Sequence, residues 1–596
     1  MRKRAYNLLF GLLVLTQMFV CFQGLADEWT RGHNGFNGSA YHQAARNTLR
    51  FGSVFPRQYY TGRTPTGPTD VYTHHPLAMH WHNTAAIWAF GDSNASLRLV
   101  PAIHGVLALV MLILVMSRLY GPGVALLTGW TYVLLPINGI YANMANHSNG
   151  FIFYGLLTFW CYFRFAEAFA KPQGGRWKRW FLGMLAAYFM CALWDWPANY
   201  LAFGIALHWL ISGYQRHLRA GGRWYRPNLH LWLLVVWSVW VLAQLIGHFT
   251  WVVIVQGSFD ELAQTFQKRQ SAGVNMMRHY RIVPELMHTW PVLLLAAGWL
   301  ASRIRQTFKG QLEIRDVMPL TWGCGGITHY VLFSWSAFVH SYWGWTALPF
   351  VAMTVGISVH WLARKVQGPP VAPPPGWRSL TRWRPILAGL LVFALLTPLA
   401  YRSAWLVPQG RSVGGSLWFI THVRAAKPEK YTSGRPGLRF MRFVKEHTDR
   451  NTGVLLHRGL DRDRPERRFT ITLDREHKWL KRGSLGLAPP KRIGVTGGWV
   501  LAAPVKSIRA RERRFLAAKH PWLQYGDFVM VDLRRNERDI RIWNLPEAEM
   551  SLGWWFWHSP WEAPITMERD DEAEAALRAE IDKAATRNRR RPGKRS

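Results

Sequence analysis

Apolar residues along this chain gather into blocks of about 18 to 25, each long enough to cross roughly 30 Å of hydrocarbon as a helix. The blocks begin at Tyr6 and end at Leu406. They predict helices over Tyr6–Ala26, Leu97–Met116, Gly123–Ile140, Gly150–Ala170, Trp180–Leu193, Ala198–Ile211, Leu229–Val255, Val292–Ile304, Leu320–Val339, Trp345–Leu362 and Ile386–Leu406. The expectation is a polytopic α-helical membrane protein of about eleven transmembrane helices, several of them short for a full span. The first block follows MRKR, the start of a secretory signal, but its length and the lack of a small-x-small cleavage site favour a retained helix.

Polar connections assign the two sides. KPQGGRWKRW at Lys171–Trp180, YQRHLRAGGRWYRPN at Tyr214–Asn228, SRIRQTFKGQLEIRD at Ser302–Asp316 and the turn Arg364–Arg384 are basic and belong inside. The alternate connections, rich in His, Asn, Trp and Tyr, then lie outside. They are Asp27–Ser96, Tyr141–Asn149, Trp194–Pro197, Gly257–Pro291 and the turn at His340. Residues 1–406 thus form the membrane domain, with a long first outer loop over 27–96.

Past Leu406 the pattern changes. Short β-like runs, TGVLLH (Thr452–His457), RFTITLD (Arg468–Asp474), KRIGVTG (Lys491–Gly497) and GDFVMVDLR (Gly526–Arg534), alternate with helical or irregular stretches. Residues 407–568 read as an extracytoplasmic α/β or mixed domain. Residues 569–596 read as a solvent-facing helix that runs into a disordered basic end.

Composition sharpens this picture. The chain has 72 Lys+Arg against 34 Asp+Glu, yet it is 49% hydrophobic with 34 Trp, a combination that argues against a soluble nucleic-acid binder. Cys21, Cys161, Cys191 and Cys324 all fall in predicted spans, so no disulfide framework and no cysteine-based zinc site is indicated.

The stretch VYTHHPLAMHWHN, Val71–Asn83, holds four histidines. On a helix His75 and His82 share a face but sit about 10 Å apart along the axis, too far to hold one small ion. Three readings stay open: a polar element at the outer interface, substrate contact by His74 or His75, and a metal site. Asp195, in ALWDWPANY, is a carboxylate near hydrocarbon depth. Such a group is costly unless paired or facing a cavity, and Pro197 can open the helix there, so it is either a cavity residue or a helix end in an aromatic belt.

The order of a first helix, a long outer loop with YHQAARNTLRFG (Tyr41–Gly52), then HHPLAMHW, GDSNASLRLVPAIHG and a second helix resembles the membrane-embedded glycosyltransferases of the GT-C fold. The similarity points to the branch of the dolichyl-phosphate-mannose protein mannosyltransferases and the bacterial aminoarabinose transferase of lipid A. It implies transfer of a sugar from a polyprenyl-phosphate donor to a glycan, lipid or protein acceptor, on the outer side of a bacterial-type cytoplasmic membrane. No cofactor is implied, and dependence on a divalent metal is left open.

The resemblance also implies an acid about four residues before Tyr41, where this chain has Asn37 and Gly38. Asp27 or Glu28, and then His33, are the candidates to take over as base, alongside Asp195. A second expected acid after the third span is replaced in YANMANHSNG, where His147 or Asn149 stands in. In Phe259–Pro291 the basic residues Lys268, Arg269, Arg278 and Arg281 lie on the side where the positive-inside rule disfavours them. Arg278 is the candidate for the donor phosphate because it lies beside His279 and Tyr280. His340 and Tyr342, in FVHSYWGWTALP, complete the candidates for donor phosphate or sugar, with His74, His75 and His147. A noncatalytic membrane subunit and a transporter or flippase of lipid-linked sugars are the competing classes.

The charge pattern makes a topological prediction. A cysteine placed near Gly526 is labelled from outside intact cells by an impermeant reagent, and one near Gly174 is not. The reverse result inverts the orientation.

Overall fold

The computed structural model describes residues 3–27, 29, 32–52, 55–56, 71–170, 176–219, 229–270, 287–309, 311, 313–367, 378–412, 435–449, 452–457, 477–480, 499–543 and 569–589. Every predicted apolar block is helical. The membrane domain comprises α1 (Lys3–Phe22), α2 (His33–Phe51), α3 (Ala78–Phe90), α4 (Asn94–Tyr120), α5 (Pro122–Leu134), α6 (Pro136–Tyr141), α7 (Ser148–Phe169), α8 (Trp177–Trp194), α9 (Ala198–Arg219) and α10 (Leu229–Gln256). It continues through α11 (Asp260–Gln270), α12 (Trp290–Phe308), α13 (Val317–Leu332), α14 (Ser334–Val339), α15 (Leu348–Gln367) and α16 (Arg378–Ser412).

Five stretches among the described residues are long and apolar enough to cross a membrane: Arg4–Phe22, Asn94–Tyr120, Leu229–Gln256, Ser341–Gln367 and Trp383–Val407. The other predicted blocks are helical but shorter, broken or more polar. The third is split at Leu135, where Pro136 starts α6 at a position that needs no amide hydrogen. The ninth is split between α13 and α14 at Phe333.

Helix α7 lies along α8, α4 packs on α5 and α7, and α15 packs on α5, α12 and α16. The core between them is close-fitting. A Cβ on Gly150 would fall 2.2 Å from the Trp194 ring, and one on Gly356 would fall 2.7 Å from the Thr128 backbone nitrogen.

The turn after α1 is held by two arginines. Arg411 donates to the carbonyls of Val20 (2.7 Å), Gln23 (3.1 Å) and Gly139 (2.8 Å). Arg98, 1% exposed, donates to the carbonyls of Leu25 (2.8 Å) and Asp27, and its guanidinium lies 4.0 Å from the Trp29 ring centroid. These groups satisfy carbonyls that a helix end leaves without partners. Gly24 adopts φ +72, a left-handed conformation that calls for glycine.

Trp29 Nε1 donates to His42 Nδ1 at 3.4 Å, which leaves the His42 proton on Nε2 to donate to Asp92 at 2.6 Å. Arg46 binds the same carboxylate at 2.8 Å. These contacts seat α2 against the loop before α4 and fix the position of Tyr41.

The C-terminal domain is a three-layer mixed domain. Its helices are α17 (Arg435–Glu446), α18 (Ala510–Lys519) and α19 (Asp571–Arg589), and its strands β1 (Gly453–His457), β2 (His477–Leu480), β3 (Trp499–Pro504), β4 (Trp522–Tyr525), β5 (Phe528–Asp532) and β6 (Ile540–Trp543). The strand order is β2-β1-β3-β5-β4-β6. Strand β1 runs parallel to β2 and β3, β5 runs antiparallel to β3 and β4, and β6 is parallel to β4.

Alternate residues cover opposite faces. Val454, Leu456 and Val500 meet Phe440 and Val444 of α17, while Leu455, Leu501 and Ile540 meet Leu516 of α18 and Leu577 and Ile581 of α19. The helix expected to face solvent therefore buries one side on the sheet, because its Leu577 and Ile581 lie one turn apart. Glu574 fixes it further by accepting from the Ile542 amide (2.8 Å) and from Arg569. The expected strands over 468–474 and 491–497 and the basic end at 590–596 lie outside the described residues.

Arg98→Ala strips the partner from the buried Leu25 carbonyl, takes one of two from the Asp27 carbonyl and removes the cation from the Trp29 ring. It should destabilise the membrane domain by roughly 2–4 kcal/mol. Thermal unfolding in detergent checks this, with the conservative substitution Arg46→Lys as the milder comparison.

Candidate functional site

A cavity of about 760 Å³ opens between α2, the segment 71–77, the α8–α9 turn, α10, α11, α13 and the segment 340–346. Its lining mixes apolar side chains, among them Leu245, Phe249, Phe259, Phe266 and Phe333, with polar ones, among them Tyr41, His74, His75, Asp195, Arg269, His329 and His340.

Segment 71–77 is a non-helical strap, which is why the four histidines do not share one helix. Gln256 Nε2 donates to Thr73 Oγ1 at 2.6 Å, His248 bonds the Thr73 backbone, and Trp196 Nε1 donates to the His74 carbonyl at 2.9 Å. The strap thus presents His74 and His75 to the cavity. His74 Nε2 lies 3.4 Å from Thr265 Oγ1 of α11. His80, in contrast, starts α3 behind Tyr41 and Tyr72, with its ring 5.3 Å from Tyr41. His82 turns away to His104 and Trp194.

Asp195 is the C-terminal residue of the α8 turn, extended at φ −161 and ψ 154. Its Oδ1 accepts from the Trp196 amide at 2.9 Å and lies 3.3 Å from His75 Nδ1. Burial raises its carboxyl above the usual range, opposed by His147, His329 and Arg269. The His75 ring stacks on His147 with centroids 4.2 Å apart. His147 Nδ1 faces the Trp194 carbonyl at 2.9 Å, and since a carbonyl only accepts, that nitrogen carries the proton. Its Nε2, 3.2 Å from Tyr41 Oη, then accepts the tyrosine proton.

At the other wall His33 lies edge-on to His340 (5.3 Å) and Tyr342 (5.4 Å). His329 stacks on Trp343 at 4.5 Å, and the Arg269 guanidinium sits 6.0 Å from the Trp343 ring. Burial and then His340 lower His33 to about 3, and burial and then Arg269 lower His340 to about 4. Both rings are neutral near pH 7.

The structure therefore gathers His74, His75, Asp195, His340 and Tyr342 on the cavity wall, with His33 and His147 directly behind it. Asp27 is not on that wall: it is exposed at the end of α1, and its backbone carbonyl serves Arg98 and Asn94. Asn149 donates to the carbonyls of Pro101 and Ala142 and acts as a tie between helices. Glu28, Arg278 and Arg281 lie outside the described residues. Sequence reasoning weighed Arg269 but preferred Arg278, and it missed His329 altogether. The positive-inside exception covered Arg269, while His329 lies inside an apolar block with nothing to mark it. Among the described residues no group of three or more His, Cys, Asp or Glu side chains converges as a metal site.

A helical membrane domain that encloses a cavity, followed by a C-terminal mixed domain, is the GT-C architecture, and the chain has that fold. ArnT from Cupriavidus metallidurans, solved bound to undecaprenyl phosphate, superposes over 88% of this chain and 97% of its own, with a TM-score of 0.51 at 14% identity. The Archaeoglobus fulgidus oligosaccharyltransferase in its apo form covers 90% of this chain and 75% of its own, with a TM-score of 0.51 at 11% identity. The same enzyme tethered to an acceptor peptide containing an NVT sequon gives 0.51 at 11% identity, over 88% of this chain and 73% of that one. No family model and no curated protein sequence matches the chain.

The neutral histidines carry a pH dependence with a definite sign. An unfolded chain protonates histidine below about 6.5, while folded His33 and His340 stay neutral down to about 3 and about 4. Their contribution to stability is full above pH 6.5 and is lost as pH falls through the folded values. The unfolding temperature should drop between about pH 6.5 and 4, with a shallower drop in His33→Gln and His340→Gln. A drop of equal steepness in both variants assigns the acid sensitivity to other groups.

Proposed function

We propose that the protein transfers a sugar from a polyprenyl-phosphate donor to a glycan, lipid or protein acceptor at the outer face of a bacterial-type cytoplasmic membrane. In this reading about eleven helices cross the membrane and the C-terminal domain is extracytoplasmic. The observation that carries it is that Asp195 and Arg269 line one cavity together with many apolar side chains. Undecaprenyl phosphate, bound in the ArnT structure, and the acceptor peptide tethered to the oligosaccharyltransferase are the chemistry such a cavity fits.

Asp195 is the base. It takes the proton of the acceptor hydroxyl as that oxygen bonds the sugar's anomeric carbon and the carbon–oxygen bond to phosphate breaks. Its raised pKa brings it nearer the operating pH, which favours general base catalysis. Arg269 receives the charge that grows on the departing phosphate. Tyr41, His75 and His147 set the shape of the wall around them.

The amide and glycine at Asn37 and Gly38, in place of the acid expected from the resemblance, favour a second reading as a noncatalytic subunit. Transfer assays separate the two. In lipid, Asp195→Asn should leave donor binding nearly intact and slow single-turnover transfer about 100-fold or more. Arg269→Ala should weaken donor binding, turnover or both, with only partial recovery in Arg269→Lys, which lacks the planar fork. Transfer unimpaired in both variants places the chemistry elsewhere. No transfer from any donor supports the noncatalytic reading.

A further inference from the structure

Asp195 does not act alone in the cavity. We infer that His75 is a positioning residue for the transfer reaction: its Nδ1–H holds Oδ1 of Asp195 and leaves Oδ2 turned to the acceptor hydroxyl. This rests on the reading of Asp195 as the base.

The two carboxylate oxygens have different surroundings. Oδ1 accepts from the Trp196 amide at 2.9 Å and lies 3.3 Å from His75 Nδ1. An ionised carboxylate only accepts, so the proton of the imidazole is on Nδ1. Burial, and then Arg269, keep that ring neutral. Oδ2 has no partner among the described residues and is not enclosed by them. It is the oxygen left to meet an incoming hydroxyl.

One contact at 3.3 Å orients a carboxylate only if both partners are themselves held. The His75 ring stacks on His147 at 18° and 4.2 Å and runs near-parallel to Tyr72 at 21° and 5.9 Å. His147 is pinned in turn by the Trp194 carbonyl and by Tyr41. Trp196 joins the two halves of the pair. Its backbone amide holds Oδ1, while its indole Nε1 donates to the carbonyl of His74, the residue before His75. Strap and turn, 120 residues apart in sequence, thus meet as one unit around Oδ1.

In the transfer step the acceptor proton passes to Oδ2 as the acceptor oxygen bonds the anomeric carbon, and the electron pair of the breaking carbon–oxygen bond leaves on the phosphate. His75 keeps its proton throughout. Its hydrogen bond favours the ionised carboxylate and so opposes the effect of burial. His147, His329 and Arg269 act in the same direction, with Tyr41, Tyr200, Tyr342 and Cys191 as the neutral groups around Asp195.

Three variants of the full chain separate the atoms of the ring. His75→Asn keeps an N–H near the place of Nδ1, His75→Gln carries one out towards the place of Nε2, and His75→Leu has none. In a maltoside detergent, infrared difference spectra follow the protonated Asp195 carboxyl with pH, its band assigned by its absence in Asp195→Asn. The midpoint should rise by about one unit in His75→Leu and His75→Gln, the size expected on losing a hydrogen bond to a charged group, and stay near the parental value in His75→Asn. In lipid nanodiscs, with a panel of polyprenyl-phosphate hexoses and pentoses, single-turnover transfer at saturating donor should fall about tenfold or more in His75→Leu and His75→Gln and recover in His75→Asn. Binding of the bare polyprenyl phosphate should stay within about twofold in all three, which separates lost positioning from lost folding. Equal midpoints in the parental chain and His75→Leu overturn the inference. So does recovery of transfer in His75→Gln but not in His75→Asn, which assigns the working atom to Nε2. If the midpoints move as stated but replacing Asp195 leaves transfer unimpaired, the reading of Asp195 as the base fails, and the role of His75 in transfer falls with it.

Discussion

The arrangement depends on how the first helix ends and on what meets the carbonyls of the turn that follows it. Helix α1 must stop, turn and deliver the chain to α2, and the carbonyls from Val20 to Asp27 are met by the guanidinium groups of Arg411 and Arg98. Arg411 comes from the end of α16, more than three hundred residues away in sequence. Arg98 comes from the start of α4. The first and last long helices of the membrane domain are thus joined at one turn, and the entry into α2 is set by it. From there Trp29 reaches His42, and the next residue, Tyr41, faces the cavity.

The cavity follows from the same economy of polar groups. Histidines suit its wall because an imidazole can be neutral, hydrogen-bond and stack on an aromatic ring within one residue. His75 stacks on His147 and His329 on Trp343. Charges are few, and each has company: Asp195 has a backbone amide and His75, and Arg269 has the face of Trp343. A sparsely charged lining that combines hydrogen-bonding and apolar side chains suits a ligand with a polar head and a hydrocarbon chain.

Much of the fold was legible in the sequence, since hydrophobic length is a one-dimensional signal and each apolar block proved helical. The C-terminal domain was less so. Strands β1 and β5 stood out as β-branched runs, but WVLAAP at β3 and WLQY at β4 are short and lack alternation because both sheet faces are covered. Asp195 was found because a carboxylate between tryptophans in an apolar stretch is expensive. Asp27 was favoured for its closeness to the first helix, yet a position in sequence does not say which way a turn faces. The backbone carbonyl of Asp27 matters to the turn, and nothing in its carboxylate predicted that. His329 was invisible because one histidine in an apolar helix has no pattern around it.

The strap that carries His74 and His75 is tied at Thr73 to the far end of α10. That helix has 28 residues, about 42 Å at 1.5 Å per residue, and its flank is open at Trp232, Val239, Leu242, Ile246 and Ile254. It is longer than an average hydrocarbon layer, a mismatch that tilting, kinking or local thickening of the bilayer absorbs. Through Gln256 and Thr73, a shift of its far end would reach two imidazoles of the cavity wall by one side-chain hydrogen bond.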